Sequence, residues 1–232
     1  CAASLPRGFG QDRANELFDH MRAVAESFDC PLFGGDVSMW DHPLLLTVTI
    51  LAEPAGIDPV LRKGAQPGDI LCVTGELGGS IEDVAGRVPH LDFQPRDELA
   101  RKLAGERATR PHCMLALSDG LARDAGHLAR AADLVAEVDI LRLPVSAAAK
   151  QSADRTGQPA WLHAIADGED YELCFTIDAL RATVLPKAID GVAITKVGTM
   201  RPRKSADESA VMLRLSDDTL QSAGDQGWEH RT

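Results

Sequence analysis

Short apolar runs alternate with segments of helical periodicity along most of this 232-residue chain, and that alternation most restricts its fold. The runs ILCVTG, LVAEVDI, ELCFTI and VAITKVG have the length and β-branched content of strands. Between them, residues 81–88, 95–107 and 118–132 predict helices. The order predicts a mixed α/β fold of the α+β type, with sheets packed against helices.

The first sixty residues predict a separate set of elements. Residues 44–51, LLLTVTIL, predict a strand buried on both faces. Residues 52–69 are rich in proline and glycine and predict a connection between domains. Residues 11–28 predict a helix with one buried stripe, formed by Ala14, Leu17, Phe18, Met21, Val24 and Phe28.

Composition restricts the ligands and the compartment. The net charge of -11 argues against a nucleic-acid binder, and phosphate ligands would need a metal ion between them and the acids. The five cysteines are odd in number and widely spaced, which predicts reduced thiols in a cytoplasmic protein. No apolar run has the length of a membrane span, so we expect no membrane partner.

Two motifs combine glycines with an acid or a hydroxyl. In GGDVS, Gly35 allows close backbone approach and Asp36 can hold a hard cation, although a tight turn is the plainer alternative. In ALSDGLARDAGH, Ser118 and Asp119 stand at a helix start, where N–H groups bind phosphate. Capping of the helix by either side chain is the alternative there.

Three further segments carry weaker signals. TGELGGS follows a strand like a phosphate-binding loop, or forms a structural turn. Arg62 suits a bidentate phosphate contact, or is a solvated charge. GEDYEL places Glu169, Asp170 and Glu172 at the mouth of a strand. No zinc motif is present and no motif argues for a serine or cysteine nucleophile.

In sequence order, GGD, R-x-G-A-x-P-G-D, VTG-x-L-G, LSDGL-x-x-D and GEDYEL resemble the thiamine-monophosphate kinases of the aminoimidazole ribonucleotide synthetase superfamily. The resemblance implies transfer of the terminal phosphate of ATP to thiamine monophosphate by direct in-line attack with Mg²⁺. The implied roles are ATP binding by Gly35, Arg62 and Ser118, metal binding by Asp36 and Asp119, and substrate binding by Glu169 and Trp228.

Two departures from the family pattern bear on the metal site. The family reads I-D-L-S-D-G, whereas this chain has Ala116 at the first acid. An upstream G-D-D cluster of the family has no counterpart here. The resemblance therefore implies that residues 1–60 are the end of an N-terminal ATP- and Mg-binding domain and residues 61–232 a C-terminal α/β domain. It also implies a homodimer.

Three alternatives remain at this stage. One is a superfamily relative that acts on another substrate, and GEDYEL argues against it. A second is a protein that binds nucleotide or thiamine phosphate without turnover, which Ala116 motivates. The third is a structural module in which the Gly-Asp motifs are ordinary turns.

Overall fold

Two sheets form in two separate parts of the chain in the computed structural model. The structure describes residues 1–54, 56–80, 88–91, 93–224 and 226–227. The chain divides into two units, Cys1–Ala55 and Gly56–Thr232. Among the described helices, none combines the length and the hydropathy of a membrane span.

The first unit is a three-stranded sheet with one helix packed on it. Its elements are β1 (Ala2–Pro6), α1 (Gln11–Ser27), β2 (Asp36–Trp40) and β3 (Leu45–Thr47). β1 lies in the centre, parallel to β2 and antiparallel to β3. Ala3 and Leu5 of β1 and Ala14 of α1 form its buried core.

Two predictions about burial in the first unit were wrong. Of the predicted α1 stripe Ala14 is buried and Leu17 and Phe18 are partly buried against the same core, whereas Val24 is 60% and Phe28 43% exposed. The run 44–51 forms only the short β3, and that strand is exposed throughout. The reason is that β3 is an edge strand paired with β1 alone, so within this unit its apolar side chains have no second layer to pack against.

The second unit is built on an eight-stranded mixed sheet. Its strands are β4 (Ile70–Thr74), β5 (Cys113–Ala116), β6 (Leu134–Asp139), β7 (Leu173–Ile177), β8 (Ala188–Ile189), β9 (Val192–Pro202), β10 (Val211–Arg214) and β11 (Leu220–Ser222). They lie in the order β11-β10-β6-β9-β4-β7-β5, and β8 pairs with β9. β6 and β10 are parallel, whereas the other neighbouring pairs are antiparallel.

Apolar clusters cover both faces of this sheet. The helices are α2 (Asp97–Gly105), α3 (Leu121–Ala131), α4 (Ala147–Thr156), α5 (Ala160–Ala166) and α6 (Arg181–Val184). Leu71 and Val73 of β4 belong to the cluster with α3 and α5, while Cys72 belongs to the cluster with Leu99 and Leu103 of α2. Because alternate residues point to opposite faces, a strand covered on both sides is apolar at each position.

The predicted fold class is confirmed by these elements. The four apolar runs named first form β4, β6, β7 and β9, and the helices predicted within 95–107 and 118–132 form as α2 and α3. Of the predicted helix at 81–88, residues 81–87 lie outside the described part of the chain. Cys72, Cys113 and Cys174 are buried as free thiols.

Candidate functional site

Two loops with predicted site residues touch through their backbones. Ser118 and Asp119 follow β5, and Gly168 and Glu169 precede β7. The Glu169 N–H donates to Ser118 O at 2.8 Å. A Cβ added to Gly168 would lie 2.9 Å from Ser118 O, so the absence of a side chain there permits the approach. The fold thus brings Ser118 and Asp119, one predicted ATP residue and one predicted metal residue, beside Glu169, a predicted substrate residue.

The loop after β5 is held by an acid from inside α3. The N-cap of α3 is Gly120, without a side-chain hydrogen bond, so the predicted capping by Ser118 or Asp119 is wrong. Instead, Asp124 Oδ2 accepts hydrogen bonds from the N–H groups of Ser118 and Asp119 at 2.9 and 3.0 Å. Asp124 thereby holds the loop that leads into α3, whereas a helix cap would have to accept from the first N–H groups of the helix itself. Burial raises the pKa of Asp124 to about 6.

A set of possible metal ligands surrounds Asp119. Its carboxylate, the Asp124 carboxylate and a ring nitrogen of His127 offer ligand atoms within 4.8 Å of one another. Magnesium is commonly bound by one or two carboxylates together with substrate phosphates, so this set fits such an ion. Burial is the main influence on the Asp124 carboxyl and raises its pKa. The positive charge of the exposed Arg62 acts in the opposite direction and lowers that pKa.

The closing segment of the chain returns to the same loop. Gly227 packs on the loop so closely that an added Cβ would lie 2.6 Å from Asp119 O and 3.0 Å from Arg123 Cβ. Trp228, the predicted substrate contact, lies outside the described residues. Ala116, at the position of the missing family acid, is the exposed last residue of β5.

The three acids of GEDYEL lie in three different environments. Glu172 is buried, and its carboxylate accepts hydrogen bonds from Thr74 Oγ1 at 2.5 Å and from Arg96 at 2.6 and 2.9 Å. The Glu169 side chain is 45% exposed. The sequence placed all three acids at the mouth of β7, but only Glu169 is open to a ligand.

Asp170 contacts the TGELGGS loop. Its Oδ1 accepts a hydrogen bond from Gly78 N–H at 2.9 Å, while its buried Oδ2 has no partner among the described residues. Burial raises the pKa of Asp170 to about 8, and the nearby Asp167 and Glu172 add to the rise. Asp170 therefore joins the TGELGGS loop to the GEDYEL loop as a neutral acid near pH 7.

A cleft of about 570 Å³ opens between these two loops. Its size falls within the range of small-molecule sites. The lining comes from the TGELGGS loop, the N-terminal end of α4, the GEDYEL loop and the segment before α2, including Gly75, Ser80, Phe93, Arg96, Ser146, Glu169 and Tyr171.

Gly35 and Asp36 belong to the first unit. Gly35 lies so close to Cys1 that an added Cβ would be 1.6 Å from the Cys1 carbonyl oxygen. Asp36 is exposed and begins β2. Both residues line a cavity of about 460 Å³ beside α1.

Several residues of the site escaped the sequence analysis. Asp124 and His127 lie three residues apart, and that spacing puts them on the same side of α3 as a detectable pair. His90, Phe93 and Arg96 carry no motif, and only their tertiary contacts with the GEDYEL loop reveal them.

Known structures share this fold. AaThiL complexed with AMPPCP and TMP has a TM-score of 0.66 at 21% identity, covering 99% of this chain and 72% of that one. Thiamine-monophosphate kinase from Stenotrophomonas maltophilia has a TM-score of 0.67 at 25% identity, covering 91% and 70%. Escherichia coli HypE, a hydrogenase maturation protein, has 0.71 at 16%, covering 96% and 71%. The fold is that of the aminoimidazole ribonucleotide synthetase superfamily.

Curated relatives narrow the class further. The thiamine-monophosphate kinase of Rhodopirellula baltica is 34% identical over 227 residues, covering 98% of this chain and 67% of its own length. That of Halobacterium salinarum is 34% identical over 231 residues, covering 96% and 73%. The chain belongs to the thiamine-monophosphate kinase family. It spans 59% of the relative from Escherichia coli K12, which is 33% identical. No protein-family profile matches the chain.

Proposed function

We propose that this protein transfers the terminal phosphate of ATP to thiamine monophosphate, giving thiamine diphosphate and ADP. One observation carries the proposal: the hydrogen bond from Glu169 N–H to Ser118 O joins the substrate loop to the nucleotide loop. Phosphoryl transfer requires donor and acceptor side by side in a fixed geometry. The named relatives and the AaThiL complex with AMPPCP and TMP add support.

Each predicted residue has a role in this proposal. Arg62 and Ser118 bind ATP phosphates, and Gly35 contributes a backbone contact. Glu169 and Trp228 bind thiamine monophosphate. Asp36 and Asp119 hold Mg²⁺, with Asp124 as a second carboxylate beside Asp119. The ion supplies neutralisation of phosphate charge when it is bound.

The chain itself acts by orientation and not by covalent attack. Asp124 fixes the Ser118–Asp119 loop through two N–H groups, and Asp170 fixes the cleft through Gly78. The acceptor phosphate attacks in line, so no nucleophilic side chain is required. An alanine at position 116 removes one oxygen ligand from the family set and lowers the affinity for one ion.

The architecture belongs to the same proposal. Residues 1–60 are the end of an N-terminal ATP- and Mg-binding domain, and residues 61–232 are the C-terminal domain. The protein is a cytoplasmic homodimer. Within the first unit, the exposed apolar β3 agrees with a surface that another element or subunit covers.

One competing function has an observation in its favour. Ala116 replaces a family acid, and a protein that binds nucleotide or thiamine phosphate without turnover accommodates that loss. A superfamily relative with another substrate is less supported, because HypE is similar at only 16% identity.

Formation of thiamine diphosphate tests the proposal. The full-length protein is incubated with thiamine monophosphate, ATP and Mg²⁺, and the product is measured as fluorescent thiochrome. We expect Mg²⁺-dependent product in equal amount to ADP. Nucleotide binding without product would favour a protein that binds these ligands without turnover. Formation of ADP only when another phosphoryl acceptor replaces thiamine monophosphate would favour a superfamily relative with a different substrate.

A further inference from the structure

Three side chains from the segment before α2 each contact a different residue of the GEDYEL loop. His90 Nε2 lies 3.5 Å from Glu169 Oε2. The Phe93 ring stacks on Tyr171 with centroids 4.0 Å apart and an interplanar angle of 15°. Arg96 binds the Glu172 carboxylate through two nitrogens, as described above. We call His90, Phe93 and Arg96 the facing triplet.

Both nitrogens of the His90 ring have a polar neighbour. Nδ1 lies 2.9 Å from Ser80 O, and a carbonyl oxygen can only accept, so Nδ1 carries the hydrogen. Ser80 Oγ in turn donates to the carbonyl oxygen of Gly168, which directly precedes Glu169 in the chain. These contacts form a closed path from Ser80 through His90 to Glu169 and Gly168. With Nδ1–H donating to Ser80 O, Nε2 donates to the Glu169 carboxylate only in the form of the ring that carries a hydrogen on both nitrogens, and in that form the ring orients the carboxylate.

The Tyr171 backbone is held in an unusual conformation. Its φ is 50°, in the left-handed region that a bulky aromatic residue rarely adopts. Glu169 has a φ of 56°, so the loop turns sharply at both residues while Asp170 between them points toward Gly78. Strain of this kind persists where surrounding contacts enforce it and is concentrated at ligand sites. Here it directs the Tyr171 ring toward Phe93.

The stacked pair still presents aromatic surface to the cleft. Phe93 is 39% exposed, and both rings line the cavity that Glu169 also lines. A carboxylate next to aromatic faces suits a cationic ring, because the π face and the negative charge both attract it.

We propose that Phe93 and His90 determine the specificity of the acceptor site. Phe93 with Tyr171 forms the surface against which the cationic heteroaromatic ring of a phosphate-bearing acceptor packs, and His90 is a positioning residue for Glu169. Arg96 stabilises the GEDYEL loop through its two hydrogen bonds to the Glu172 carboxylate. This inference rests on the proposed function, because it assigns the part of the acceptor site that recognises the heteroaromatic ring.

Phe93→Leu is the principal test, since it keeps apolar volume and removes the aromatic face. In the full-length protein we expect the KM for thiamine monophosphate and its calorimetric Kd to rise about tenfold, the size of one cation–π contact. The KM for ATP and inhibition by inorganic phosphate, which lacks a ring, should not change. Phe93→Tyr should restore wild-type values.

Phe28→Leu is the matched control, because Phe28 is 43% exposed at the end of α1 in the first unit and is not among the described residues that line the cleft. His90→Gln should raise the KM for thiamine monophosphate about tenfold while kcat stays within about twofold, the split expected for lost substrate positioning. His20→Gln on α1 is the control for that variant.

The outcomes separate the two claims. Wild-type protein that binds thiamine monophosphate, together with unchanged binding by Phe93→Leu, overturns this inference and leaves the proposed function standing. Equal losses in Phe28→Leu, or losses that follow a lowered Tm and are not restored in Phe93→Tyr, overturn it as well. Wild-type protein that neither binds nor phosphorylates thiamine monophosphate overturns both.

Discussion

The loops at 118–124 and at 168–172 each have an aspartate whose buried carboxyl accepts backbone N–H groups, with different outcomes for its charge. Asp124 accepts two backbone N–H groups, and its pKa is raised by burial to about 6. Asp170 accepts one N–H, has an oxygen without a described partner, and its pKa is raised by burial to about 8. In each loop a neighbouring acid, Asp119 or Glu169, remains partly exposed.

Burial raises both pKa values, and they differ in how many N–H groups and which nearby charges act against that rise. Two donors and the charge of Arg62 oppose the desolvation of the Asp124 carboxylate, whereas one donor opposes that of Asp170, where the nearby Asp167 and Glu172 raise the pKa further. In both loops the anchoring acid determines the backbone path and the exposed acid is left for a ligand. The comparison predicts that anchoring and exposed acids fail in different ways when replaced.

The largest effect is expected from an exposed acid. Asp119→Asn should lower the rate of thiamine diphosphate formation on the order of a hundredfold or more, as when one group that stabilises transferred charge is removed. The free energy of unfolding should change by less than about 0.5 kcal/mol, because the side chain caps no helix. Steady-state assay and urea denaturation measure the two quantities.

Asp154→Asn on the exposed side of α4 is the control and should leave both unchanged. A stability loss in Asp119→Asn with full activity in the folded fraction would remove the ligand role and make Asp119 structural.

A smaller effect, on stability, is expected from the anchoring acid of the same loop. Asp124→Ala leaves the Ser118 and Asp119 N–H groups without their acceptor and should cost about 2 kcal/mol of unfolding free energy. Urea denaturation at pH 7.5 measures it, with Asp154→Ala as the control. Unchanged stability would mean that water satisfies both N–H groups and that the loop needs no anchor.

The smallest effect, taken per pH unit, is expected from Asp170. Between the ordinary carboxyl pKa of 3.8 and the raised value of about 8, the folded protein keeps a proton that the unfolded chain has lost. The folded state binds more protons, so unfolding free energy falls as pH rises through that window, by at most about 1.4 kcal/mol per pH unit. Stability from this group is complete below the window.

Asp170→Asn has no titrating group there and should show a flatter profile. Urea denaturation at pH 5, 6, 7 and 8 compares it with wild type, and Asp154→Asn should retain the wild-type slope. Parallel profiles for wild type and Asp170→Asn would show that the carboxyl ionises normally and that the contrast between the two loops is incorrect.

Much of the second unit was predictable because its signals are local. β4 and β7 are short apolar runs, as expected for strands whose two faces are both covered. The helical spacing of the apolar residues in α3 places Leu121, Ala125 and Leu128 in the core. The first unit was less predictable. Residues 44–51 have the composition of a buried strand, yet burial depends on which element lies over the strand, and β3 is an exposed edge within its unit.

The sequence by itself determined the strand and helix order, the loops that carry Ser118, Asp119 and Glu169, and the family. These depend on periodicity and motif, which are read from neighbours along the chain. Only the tertiary structure decided the contact between the two loops, the anchoring by Asp124 and Asp170, and the facing triplet. Asp170 and Gly78 are 92 residues apart, and no local pattern encodes a hydrogen bond that exists only after the sheet has formed.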